Sequence, residues 1–153
     1  MKLLKWLLIF LVLNFGALYI GNILMDNGPQ TQWYQNLNQA PWTPPGWLFG
    51  VAWTTIMLCF SVYMSYLVIT LGFNKIATVF SVQILLNIIW NYIFFNLHQT
   101  AFGLLIITLL TSVVFYFFFK YYITLKAKSF LILPYMIWLL IATSLNLYIV
   151  IYN

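Results

Sequence analysis

The sequence predicts an all-α integral membrane protein, a single bundle of five transmembrane helices with one long loop on the non-cytoplasmic side. Three observations carry this. Of 153 residues, 65% are hydrophobic and only 5% are charged, whereas soluble domains carry roughly 25% charged residues. Five apolar segments each approach the ~20 residues needed to cross a bilayer. The basic residues then fall on one side of the resulting topology, which orients the chain.

The first span is expected at Leu3–Met25, behind Lys2 and Lys5. A basic start followed by an apolar run resembles a signal peptide. Here the run continues past Phe15 to Met25 without a small-residue cleavage site, so it reads as a retained helix. Residues 26–43 form the only long loop. It opens on the turn signature Asp26-Asn27-Gly28-Pro29 and carries Trp33, Tyr34 and Trp42, aromatic residues that a plain linker does not need. Thr43 is expected to cap the next helix, with Pro44 at the first position, where a missing N–H costs nothing.

The second span is expected at Gly46–Leu71. Trp47 near its start suits an interfacial anchor, and Trp53 lies two turns deeper. Gly46-Trp47-Leu48-Phe49-Gly50 has the G-x-x-x-G spacing that allows close helix contact. Cys59 is the only cysteine; it can form no intrachain disulfide and reads as a small apolar filler. After the turn Gly72–Lys75, the third span, Ile76–Leu97, carries Gln83, Asn87 and Asn91. Their spacing of four puts three amides on one face. Two readings stay open: hydrogen bonds between helices, or amides facing a ligand cavity.

Leu97–Thr100 is a tight hairpin into the fourth span, Ala101–Tyr122. The apolar stretch Phe102–Phe119 lacks the alternation of a barrel strand. The fifth span, Phe130–Ile151, places Pro134, Trp138, Ala142 and Asn146 on one face. Pro134 frees backbone carbonyls at a kink. Trp138 puts a large ring at mid-membrane depth, and Ala142 leaves space one turn later. This suits the wall of a flat ligand, and it suits ordinary packing.

With five spans, Lys2, Lys5, Lys75, Lys120, Lys126 and Lys128 share one side, and the long loop, the His98 hairpin and the C-terminus share the other. The positive-inside rule makes the Lys side cytoplasmic, with the N-terminus there. The net charge of +5 therefore reflects anchoring at membrane lipid, and no nucleic-acid surface is expected. Conventional catalysis has no apparatus. The only acid, Asp26, sits at a turn, and His98 is the only histidine, so neither a triad nor a multi-ligand metal site is available. No acid–base relay crosses the membrane.

Three stretches resemble the translocator protein family, also called tryptophan-rich sensory proteins or peripheral benzodiazepine receptors. They are Trp33-Tyr34 with Pro41-Trp42-Thr43-Pro44-Pro45-Gly46-Trp47 and Trp53; Leu86-Asn87 through Trp90-Asn91 to Phe94-Phe95; and Pro134-Tyr135 with Trp138, Ala142-Thr143 and Leu145-Asn146. Order and spacing match along nearly the whole chain. The resemblance implies a homodimeric five-helix bundle in which the first loop folds as a lid over a pocket. It implies binding of protoporphyrin IX or a related tetrapyrrole, and of isoquinoline or benzodiazepine-type ligands, with no required cofactor. It also implies tetrapyrrole transport or sensing, or light-dependent porphyrin degradation.

Carried over by position, the pocket would comprise Tyr34, Trp53, Asn87, Asn91, Trp138 and Ala142, with Trp53 and Trp138 serving the photochemistry. The chain departs from the family at Thr54-Thr55-Ile56-Met57, where a tyrosine is often found, and at Tyr92, where some relatives have proline. No basic residue follows Tyr148, so the sterol motif assigned to the last helix fails. A bacterial cell membrane is the expected location. The alternative reading is a structural or regulatory membrane partner with an incidental lipid- or sterol-binding pocket.

Overall fold

The computed structural model describes residues 1–153. It is all-helical: α1 (Lys2–Leu24), α2 (Gln32–Asn36), α3 (Gly46–Leu71), α4 (Ala77–Asn91), α5 (Thr100–Leu125) and α6 (Leu133–Tyr152). All but the short α2 are spans. The helical stretch Thr100–Tyr152 is 53 residues long, more than twice what a bilayer requires. It divides at Lys126, where φ 53 and ψ −127 break the helical path. A 3₁₀ stretch, Lys126–Ile132, completes the reversal, and α6 returns packed along α5.

Around the bundle the helices contact one another in the order α1, α3, α6, α5, α4 and back to α1. The core is aromatic. Phe60 is fully buried and meets Tyr63, Phe80, Phe117 and Tyr135 at centroid separations of 5.3–6.3 Å, the range in which ring pairs attract. Lipid supplies little hydrophobic drive between helices, so packing and polar contacts must hold them. Asn14 of α1 donates to the Ser61 hydroxyl of α3 at 2.8 Å, and Gln83 of α4 donates to the Tyr135 hydroxyl of α6 at 2.8 Å. At Gly21 of α1 a Cβ would lie 2.7 Å from the Asn91 amide nitrogen, so the absent side chain is what lets α4 come this close.

Several boundaries differ from the expected ones for local reasons. Thr43 does not cap α3. Its hydroxyl donates to the Ala40 carbonyl at 2.7 Å, closing a turn, and Pro45 is the N-cap. A residue before proline is pushed to extended geometry, so Pro44 cannot begin a helix and the second proline delays it to Gly46. Pro134 does not kink a helix interior. It lies in the first turn of α6, where it removes no bond. The glycines of the G-x-x-x-G spacing meet no neighbour, since a Cβ on Gly46 or Gly50 would touch nothing within 4 Å. The third span ends in a π turn, Tyr92–Asn96. This wider turn brings Phe94 and Phe95, consecutive in sequence, to the inside together, 2% and 7% exposed.

The long loop is itself folded. A 3₁₀ turn at Gly28–Gln30 leads to Thr31, whose hydroxyl caps α2 by accepting from the Tyr34 N–H at 3.3 Å. Beyond α2 the loop runs along the end of α6. The Trp42 indole donates to the Ser144 hydroxyl at 3.1 Å, and the Asn38 N–H donates to the Asn153 side chain at 2.8 Å.

Candidate functional site

The bundle encloses a cavity of about 570 Å³ just below this folded loop, within the usual range for small-molecule sites. Each span contributes to its wall. Trp53 and Phe49 come from α3, Asn87, Trp90 and Asn91 from α4, Ile107 and Leu110 from α5, and Trp138, Leu139 and Ala142 from α6. From α1 come Phe15, Leu18, Tyr19 and Asn22. The lining holds no Lys, Arg, His, Asp or Glu. Its polar groups are amides, hydroxyls and indole N–H groups.

The polar stripe on α4 divides in use. Gln83, 1% exposed, is committed to Tyr135 beneath Trp53, whose ring stands edge-on to Tyr135 at 6.0 Å. The side-chain oxygen of Gln83 has no partner. One and two turns on, Asn87 and Asn91 line the cavity, and Asn91 donates to the Asn87 carbonyl at 3.0 Å. Trp90 is fixed by donating to Asn146 at 3.2 Å, and Asn146 in turn donates to the Thr100 carbonyl at 3.0 Å. Trp138 is held edge-on by Phe49 at 5.1 Å. It also walls a separate apolar groove between α3 and α6 that includes Val51, Phe130 and Ile137, so one indole separates two spaces.

Trp53, Asn87, Asn91, Trp138 and Ala142 thus meet around one cavity, while Tyr34 does not line it. Tyr34 packs instead on Phe95 at 5.3 Å and Phe94 at 6.4 Å, and of these two Phe95 lines the cavity. Burial raises the pKa of the Tyr34 phenol, keeping it neutral. From this end, Met25 at the close of α1 and Pro29 of the long loop reach the cavity. Sequence reasoning does not reach the α1 wall, nor Trp90 as a lining residue. No face of α1 is distinguished by hydropathy, and the visible hint is only the amide of Asn22 in an apolar run.

The cavity also has an open side. Tyr19, which is 67% exposed, and Asn22 on α1 face it along with Gly50 and Thr54 on α3, all of them exposed lining residues. Gly50 keeps this gap wide. Gly50→Leu is expected to slow association of a membrane-dissolved ligand more than it alters final affinity, read from binding kinetics against equilibrium titration; an unchanged on-rate would place the route elsewhere.

Fold and site together define a polytopic membrane protein with a tryptophan-walled cavity among its spans. The TspO/MBR family pattern matches residues 7–152. The chain is 34% identical over 118 residues to protein CrtK of Rhodobacter capsulatus, covering 74% of each chain. It is 33% identical over 156 aligned residues to the tryptophan-rich protein TspO of Archaeoglobus fulgidus, covering 100% of this chain and 97% of that one. It is 31% identical over 126 residues to the human translocator protein, covering 78% and 74%. The chain belongs to the TspO/MBR family.

Proposed function

We propose that this protein is a membrane receptor for tetrapyrroles such as protoporphyrin IX, presenting the bound macrocycle to Trp53 and Trp138. The observation that supports this reading is a cavity with large flat indole walls, scattered amides and no charged group. A broad aromatic ligand buries much of its apolar area there, and Asn87 and Asn91 offer orientation without the cost of burying charge. The reading includes light-dependent degradation of the bound porphyrin, since indoles in contact with a photoexcited ring can be oxidised. The direct test is titration of purified protein with protoporphyrin in the dark, followed by illumination. Saturable binding that is lost when the cavity is filled by mutation supports the reading; binding insensitive to such filling overturns it.

The uncharged lining makes a sharper demand. A buried carboxylate without a partner costs several kcal/mol, so the two carboxyl groups of protoporphyrin must stay at the open side while the macrocycle enters. The dimethyl ester is therefore expected to bind within about fivefold of the diacid, roughly 1 kcal/mol. A loss of more than about a hundredfold on esterification would mean that a cation holds the carboxylates, which this cavity cannot provide.

A further inference from the structure

We propose that His98 and Trp33 form a proton-operated latch that holds the lid closed. His98 sits at the tip of the α4–α5 hairpin with a left-handed backbone, φ 56, a conformation that His tolerates better than most side chains. Its ring lies flat on the indole of Trp33 from lid helix α2, with centroids 4.0 Å apart and planes 14° apart. Trp33 also stands edge-on to Phe94 of the π turn at 5.9 Å. The hairpin tip therefore holds α2 through this stacked pair, beside the Phe94 and Phe95 contacts that Trp33 and Tyr34 also make.

An imidazolium stacked over an indole is attracted to the ring face, and a neutral imidazole much less so. Imidazole is the side chain that ordinarily changes charge between pH 5 and 8, and this is the only histidine in the chain. The titratable groups on the elements at this end are Tyr19 on α1, Asp26 after it, Tyr34 on α2, Tyr92 in the π turn, and Tyr148 and Tyr152 on α6. Phenols and carboxyl groups ordinarily titrate outside pH 5.5–7.5, and the lysines lie at the other end of the bundle. His98 is therefore the group that can transmit proton concentration on the lid side of the membrane. The stack on Trp33 is therefore expected to be tighter at low pH than at high pH.

Hydrogen exchange of the full-length protein in nanodiscs, without any ligand, tests this independently of the tetrapyrrole reading. After correction for intrinsic exchange, protection of lid residues 31–37 is expected to be about threefold higher at pH 5.5 than at pH 7.5, the size of an exposed cation–π contact. His98→Phe, which keeps a ring without the charge, and Trp33→Leu, which removes the ring face, should each abolish the pH dependence. His98→Asn suits the left-handed backbone and serves as a folding-safe second variant. If His98 is only a packed ring, charging it disrupts the stack and wild-type protection falls at pH 5.5. That result, equal protection at both pH values, or an unchanged pH response in the variants overturns the latch.

Discussion

Ala142→Leu is expected to weaken dark binding of protoporphyrin by roughly 10-fold to 100-fold while the protein still folds. Ala142 lines the cavity one helical turn after Trp138, and it is only half-buried. In the unliganded protein a leucine can extend into the open space, so little overpacking falls on the fold itself. In the bound state the same methylenes compete with the macrocycle for the strip of wall beside the Trp138 indole. Overpacking of a filled site costs typically ~1–3 kcal/mol, which is the stated range of affinity. The measurements are a dark fluorescence titration and thermal unfolding of the same preparation. Wild-type affinity in a stably folded Ala142→Leu protein would remove Ala142 from the binding surface. A loss of affinity matched by a loss of stability would show that the substitution acts on the fold.

Much of this arrangement is legible in the sequence because lipid makes polar and oversized residues conspicuous. The α3 boundaries, Gly46–Leu71, follow directly from the punctuation of Pro44-Pro45 and Gly72. Asn87, Asn91, Trp53, Trp138 and Ala142 stand out as exceptions on apolar faces, and the fold brings them around one space. Tyr34 is legible as an aromatic residue of the long loop, yet it packs on Phe94 and Phe95 and does not line the cavity. That depends on a π turn, which no local propensity announces. The α1 wall stays hidden for the opposite reason. Apart from Asn14 and Asn22 its span is almost wholly apolar, so periodicity assigns no inward face, and only neighbouring helices decide that Phe15 and Leu18 look into the cavity while Val12 looks out. The reversal at Lys126 falls in the gap between the expected spans Ala101–Tyr122 and Phe130–Ile151, where Lys126 and Lys128 interrupt the apolar sequence.

Trp138→Phe is expected to slow light-dependent loss of bound porphyrin far more than it weakens binding. The indole is electron-rich and is oxidised more readily than a phenyl ring. A photoexcited porphyrin touching it can accept an electron, and oxygen can react with the resulting pair; besides the indoles, the oxidisable groups on the cavity lining are the Tyr19 phenol and the Met25 thioether. Phenylalanine keeps a flat apolar wall and preserves the separation from the lipid-facing groove that Trp138 also borders, a division that alanine would breach. The substitution weakens one ring pairing with the macrocycle, worth ~0.5–1.5 kcal/mol, so dark affinity should fall by no more than about 10-fold. Trp53→Phe should behave in the same way. Its indole lines the same cavity and is set against Tyr135 rather than Phe49. Two donors serving one ligand should show coupled effects, so the double variant is expected to be less than additive. The readout is decay of porphyrin absorbance under illumination in air, compared with the rate under argon and with affinity measured in the dark. Equal proportional losses of binding and photochemistry would reduce the two tryptophans to walls. Unchanged decay in both single variants would remove them from the photochemistry altogether, leaving Trp90 as the remaining indole at the cavity. Trp90 is the least free of the three, because its N–H is already committed to Asn146 at 3.2 Å.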